Sequence, residues 1–296
     1  MLKPETLGLE LPAGYRWVQG GRGLMAVWAD ASEGLRSTGF GPDSDGSMRV
    51  SDAVGRRALG ELSTGSEVYL VRCFSHGGLL RWLTGARYRD PRRPFEELLL
   101  SHSLSLAGVR TPRVIAARAQ RVGPWWELAL VTERVEGTTD IGRWIAELRR
   151  GERTRLGLDR VLYAAGELVR ELHEAGFLHA DLQPNNLLVE EPLRAERAPS
   201  LWVVDLDRSE RASSLSPSER RTNLTRLARF VERRERERGA CLTRADRMRF
   251  LRGYEPDREL RSELWRSLAS ALQKSGRHGL GWILERAFGG ADAREG

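Results

Sequence analysis

The hydrophobic pattern of this chain shifts from mostly strand-like to mostly helical near residue 136, and that shift limits the folds open to it. Upstream the apolar residues alternate. "YRWVQGGRGLMAVWA" (15–29) reads as two short strands joined by a glycine turn, "SEVYLVRCF" as another strand, and "TPRVIAARAQRV" with "WWELALVTERV" as a strand pair around Gly123-Pro124. Between them, "STGFGPDSDGS" reads as a loop, and one stretch, "RPFEELLLSHSLSLAG", has helical spacing that ends at Gly108. Downstream, "DIGRWIAELRRG" and "LDRVLYAAGELVRELHEAG" are amphipathic helices, and only helices follow Ser216, with starts at Ser216-Pro217 and Thr243. "VERRERERG" reads as a solvated charged face, and there is no internal repeat. The expected fold class is α+β: a mostly-β lobe over 1–136, with residues 1–50 as an accessory extension, and a helical lobe over 137–296.

Composition narrows the class further. The chain has 296 residues, 40% hydrophobic and 30% charged, without an apolar run of 18, so a soluble globular protein is expected rather than a membrane-spanning one. The N-terminus lacks a charged-then-apolar leader, and two cysteines, Cys73 and Cys241, make neither a disulfide framework nor a zinc motif, which implies a reducing, cytoplasmic setting. The net charge is +7, and of the 48 basic residues only Lys3 and Lys274 are lysines. A basic surface suits nucleic acid, anionic lipid or phosphorylated ligands, or is a bias of composition. The scarcity of lysine leaves few candidates for any role that needs one.

The chemistry concentrates in "FLHADLQPNNLLV", Phe177 to Val189. Asp181 follows a long helix, Asn186 comes five residues later, and Asp205 ends the apolar strand "LWVVD". The two apolar strands can pair as a hairpin that brings the Asn186 and Asp205 ends together. Asp181 alone would also serve as a turn or cap residue. Asn and Asp oxygens are hard ligands suited to magnesium, and a separate aspartate can orient a hydroxyl and take its proton. Phosphoryl transfer needs that division of labour.

"HADLQPNN" resembles the catalytic loop of the protein-kinase-like fold, and "VVDLD" its metal-binding DFG segment. The resemblance implies Asp181 as catalytic base, Asn186 and Asp205 as magnesium ligands, and His179 as a structural brace. Such a fold needs a cation against the ATP phosphates, on a strand and paired to a helix carboxylate. Neither lysine is placed for it, and Arg72 with Glu97, 25 residues on, fits instead, Glu96 being the neighbour. For the phosphate-binding turn, "GRRALG" with Gly55, Arg56 and Gly60 is favoured by position, and "GGRG" (Gly20 to Gly23) competes. Backbone groups of Glu133 and Val135 are expected at adenine. Asp207, in the place of the DFG glycine, is open to metal, sugar or a turn with Arg208; Cys73, Trp125 and Trp126 are expected to be packing residues.

No Ala-Pro-Glu motif follows Asp205. The ordered set "LVRCFSHGGLL", "FEELLLSHSLSLAGVRTPRVIAA", "LVTERVEG", "HADLQPNNLLV", "VVDLDR" and "NLTRLARF" resembles the lipopolysaccharide kinase family over about residues 50–255. The resemblance implies ATP and Mg2+ as cofactors and a lipid-linked sugar acceptor, Kdo-lipid A (Kdo is 3-deoxy-D-manno-octulosonic acid) or core heptose. It also implies a peripheral place on the cytoplasmic face of the inner membrane, against anionic lipid and with no nucleic acid partner. The alternatives are a small-molecule phosphotransferase resembling aminoglycoside or choline kinases, and a pseudokinase scaffold.

Overall fold

The computed structural model describes residues 2–51, 59–65, 67–75 and 87–288. It divides into two compact units, the first made of residues 1–138 with 202–211 and the second of 139–201 with 212–296. The Asp205 segment, expected in the helical lobe, therefore groups with the β-rich unit: Val203 N donates to Arg110 O at 2.9 Å, fastening the strand end there.

The first unit opens with a single-turn helix α1 (Pro4–Leu7), strands β1 (Tyr15–Gln19) and β2 (Gly23–Trp28), helix α2 (Ser32–Ser37) and the two-residue strands β3 (Phe40–Gly41), β4 (Ser44–Asp45) and β5 (Arg49–Val50). It continues with β6 (Gly60–Ser63), β7 (Val68–Cys73), helix α3 (Arg93–Leu106), β8 (Val114–Val122) and β9 (Trp125–Glu133). Seven strands form one antiparallel sheet in the order β1-β2-β8-β9-β7-β6-β5. The turn between β8 and β9 places Gly123 at φ 61°, the left-handed region where glycine has no side-chain penalty.

Period-two alternation sends β2, β8 and β9 side chains to two buried faces. Leu24, Ala26, Ala117, Ala119, Leu128 and Leu130 meet Phe95 and Leu98 of α3. Met25, Val27, Ala116, Ala129 and Val131 lie on the other face, covered by Ala31, Leu35 and Phe40. The stretch read as a loop is thus part of the core's second cover. It is anchored by Arg118, 3% exposed, which pairs with Asp45 and donates to Ser44 O at 2.7 Å.

The chain leaves the first unit along β10 (Thr138–Asp140). The second unit holds α4 (Ile141–Arg150), α5 (Leu158–Glu174), the short strand β11 (Phe177–Leu178), a 3-10 turn (Pro184–Asn186), β12 (Leu187–Glu190), α6 (Pro217–Arg238), α7 (Arg244–Tyr254) and α8 (Arg258–Phe288). Asp140 caps α4, accepting from Arg143 N at 2.7 Å. Ser216 and Thr243 close capping boxes with Glu219 and Asp246, so both expected helix starts carry their chemistry. Helices α5 and α7 pack closely: a Cβ on Gly166 would strike Phe250 O, and one on Gly253 would strike Tyr163 O. No helix among the described residues is long and apolar enough to cross a membrane.

Candidate active site

In the first unit, strand β7 presents Arg72 and helix α3 presents Glu97, and the two form an ion pair. The second guanidinium nitrogen of Arg72 lies 3.0 Å from Asp205 Oδ1, and its plane sits 4.5 Å over the Phe74 ring. Glu97 is 6% exposed. Burial pushes its carboxyl up to about 7; the Arg72 charge opposes this, and Asp205 and Asp207 add to it. Burial likewise works against the Arg72 charge, but Glu97, Asp205 and Asp207 outweigh it and raise that pKa. One arginine is therefore shared by two carboxylates, a geometry a planar fork allows and a point-charge ammonium satisfies less well.

The segment after β13 (Leu201–Val203) is bent unusually for residues with side chains. Asp205 has φ 62° and Arg208 φ 58°, both left-handed. Each costs on the order of 1–2 kcal/mol, which the charged partners of this segment help offset. Asp207 is held by Arg93 in a two-pronged pair, with Arg93 Nε 2.6 Å from Oδ1 and the other prong on Oδ2. Both carboxylate oxygens accept from Arg93, a partner beyond the expected choices of metal, sugar and a turn with Arg208. Sequence reading missed the partner because 114 residues separate the two.

In the second unit, the loop after β11 is tied on both sides of Asp181. Asn186 Nδ2 donates to Asp181 O at 2.8 Å, Asp181 N donates to His179 Nδ1 at 3.1 Å, and Gln183 Nε2 donates to Asp181 Oδ2 at 2.9 Å. His179 is fully buried, and its carbonyl accepts from Asn223 Nδ2 at 2.8 Å. Asn223 Oδ1 meets His173 Nε2 at 3.0 Å, and His173 Nδ1 meets Tyr254 Oη at 2.9 Å. Burial lowers the His173 pKa to about 4, with Asn223 opposing and Arg220 assisting. Arg226 donates to Ala180 O, and Asn185 Nδ2 donates to Asp140 Oδ1 at 2.8 Å. Asn223 and Arg226 belong to "NLTRLARF", a segment noted in the sequence but not assigned to this loop.

Gly55 and Arg56 lie outside the described residues. Gly60 is the first residue of β6, paired with Val50 of β5 and Val71 of β7. The competing Gly20–Gly23 turn already holds an anion: Gly21 N and Arg22 N donate to the Asp43 carboxylate at 2.6 and 2.9 Å. Glu133 N donates to Arg113 O at 3.0 Å, and Val135 O accepts from Thr138 Oγ1 at 2.8 Å. Trp126 is buried as expected, whereas Cys73 is exposed.

For magnesium, the donor set passes a chemical test. Asn186 spends its amide N–H on Asp181 O, which leaves Oδ1 as the hard oxygen to present to a cation. Asp205 offers carboxylate oxygens, one facing Arg72. Among the described residues no group of three or more His, Cys, Asp or Glu gathers as a metal site. Two protein ligands with phosphate and water oxygens are the usual complement for this ion.

An antiparallel sheet backed by a helix whose glutamate pairs a strand cation, with a helical unit carrying a His-x-Asp loop, defines a protein-kinase-like fold. The solved structure of WaaP in complex with acyl carrier protein shares it, with a TM-score of 0.52 and 22% identity over 78% of this chain and 86% of that one. The pattern of the lipopolysaccharide kinase (Kdo/WaaP) family matches residues 52–254, and the chain belongs to that family. It is a sugar kinase in class, a phosphotransferase. The 3-deoxy-D-manno-octulosonic acid kinase of Vibrio cholerae serotype O1 is 28% identical over 57% of this chain and 67% of that protein. That of Photobacterium profundum is 27% identical over 63% and 75%, and that of Vibrio vulnificus 26% over 70% and 83%.

Proposed function

We propose that this kinase transfers the γ-phosphate of ATP to a sugar hydroxyl of the lipopolysaccharide inner core, with Kdo ahead of heptose as acceptor. The observation that carries the reading is Arg72, held between Glu97 and Asp205. A cation fixed by a buried carboxylate is oriented before nucleotide arrives and needs little reorganisation to meet phosphate oxygens. The Kdo kinases among the relatives support the choice of sugar.

In this mechanism Arg72 neutralises phosphate charge and Glu97 keeps its fork aimed. Asp181 accepts a hydrogen bond from the acceptor hydroxyl, holds it in line and takes its proton as the oxygen attacks phosphorus. Gln183 orients the Asp181 carboxylate, and Asn223 and Arg226 fix the backbone that carries it. Asn186 and Asp205 would hold the magnesium ion, which when bound neutralises the phosphates. The net charge of +7 supports peripheral binding to anionic lipid at the cytoplasmic face of the inner membrane.

The test is transfer of labelled phosphate from ATP to Kdo-lipid A and, separately, to a heptose-bearing core, each with and without magnesium. Transfer to Kdo-lipid A that Asp181→Asn abolishes supports the reading. Preference for the heptose acceptor overturns the choice of sugar, and magnesium-independent transfer overturns the metal set.

A second reading concerns a partner. The second unit carries a half-open, largely apolar pocket of about 490 Å3, bordered by Ile141, Leu162, Leu224, Leu251 and Trp265. Its size suits a hydrocarbon chain, and the fold neighbour was solved with an acyl carrier protein. Co-elution with the acylated but not the unacylated carrier would support this partner; equal failure of both would remove it.

A further inference from the structure

Helix α3 is tied to the Asp205 segment twice, one helical turn apart. Arg93 in its first turn grips Asp207, and Glu97, four residues on, grips Arg72, which reaches Asp205. Residues i and i+4 share a helix face, and Asp205 and Asp207 are two apart on the segment, so the ties run as parallel rungs. Phe74, 3% exposed, lies between them: the Arg72 guanidinium is 4.5 Å from its ring centre and that of Arg93 5.2 Å. Tyr88 receives Arg93 at 5.2 Å as well. The second tie is thus as well built as the first, with a bidentate fork, two ring contacts and about one-fifth exposure of each partner.

We propose that Arg93 and Asp207 form a latch that positions the phosphate-facing pair. Rotation of α3 that withdrew Glu97 from Arg72 would also have to open the Arg93–Asp207 fork and pull Arg93 off two rings. A glycine at this place, as in the resembled motif, has no side chain with which to make such a tie. With Asp207, helix and segment move as one piece. The left-handed turn at Asp205 and Arg208 is held in its bent form by the same contact. Neither residue touches the reacting atoms; both act through Glu97 and Asp205. The proposal rests on the reading of Arg72, Glu97 and Asp205 as nucleotide-site residues.

The latch predicts an effect confined to α3. In the full-length protein, Asp207→Asn should speed amide hydrogen exchange of α3 by about ten-fold or more, as loss of a coupled charged pair implies, while β8 and β9 stay protected. The swap Arg93→Asp with Asp207→Arg should restore much of that protection. In parallel, kcat/KM for ATP should fall about ten-fold in the single variant and recover in the swap. Arg93→Lys keeps the charge and loses the fork; it should give an intermediate rise, and it serves if Asp207→Asn unfolds. Exchange in α3 that stays at the parent rate in both single variants overturns the latch, as does an equal rise over the whole sheet. Absence of phosphate transfer in the parent protein would instead overturn the kinase reading, and the exchange result would still decide the latch.

Discussion

The two halves of the candidate machinery are held by different forces. In the first unit, Arg72, Arg93, Glu97, Asp205 and Asp207 form a charged cluster around Phe74. In the second, the Asp181 loop hangs on neutral hydrogen bonds from His179, Gln183, Asn186 and Asn223, with Arg226 as an outer charged prop. A charged cluster can answer to a charged ligand, since phosphate and metal enter into competition for the same partners. The second network is built mostly from uncharged donors, and Gln183 and the buried His179 hold the half-buried Asp181 in place. In the function proposed above, the first region handles the phosphates and the second sets the geometry of attack while lending Asn186 to the metal, and the two regions respond to pH in opposite directions.

The largest effect should come from Asp181. Asp181→Asn keeps the shape of the loop but loses charge and basicity, so transfer should fall by about 10²–10⁴-fold, or about 3–5 kcal/mol of barrier. Nucleotide affinity by calorimetry should change little. Loss of binding and transfer together would erase the division between the two regions.

Next is the acid response of the second unit. The His173 pKa is depressed to about 4 from 6.5, so its contribution to stability is present above pH 6.5 and is lost as pH falls through 4. That amounts to about 3 kcal/mol at 1.36 kcal/mol per pH unit. Urea unfolding at pH 7, 5.5 and 4.5 should track the loss, and His173→Gln should flatten it.

The charged cluster should answer in the other direction. Glu97 is raised to about 7, so its contribution is fully present below pH 4.5 and is lost as pH rises through 7. Arg72→Ala leaves that carboxyl buried without its cation, which costs about 2 kcal/mol, less than a fully buried broken pair because Glu97 can protonate. The variant should therefore be more destabilised at pH 8 than at pH 5, and its ATP affinity should drop sharply. Equal destabilisation at both values would mean that Glu97 stays neutral throughout.

The smallest effect tests local capping away from both regions. Ser216→Ala removes one half of the α6 capping box and should cost about 1 kcal/mol by thermal unfolding. A much larger loss would show that the α6 start also carries Asn223 and Arg226 into register under the loop.

Local chemistry was legible in the chain alone. Alternation marked β1, β2, β7, β8 and β9, helical spacing marked α3, α4 and α5, and Ser216 and Thr243 marked two helix starts, because periodicity and capping depend on residues within a few positions. The spacing of Arg72 and Glu97 could be read because a strand-then-helix unit brings such residues together, and the loop "HADLQPNN" identified itself by motif. What tertiary structure decided was the partner of each charge and the face each segment covers. The residues 31–40 turned out to seal one side of the sheet, Asp43 took the Gly20–Gly23 turn, and Asp207 went to Arg93. Each of these contacts joins positions more than twenty residues apart in sequence or depends on a neighbouring strand. An arginine-rich chain offers many cations to every carboxylate, and only packing selects among them.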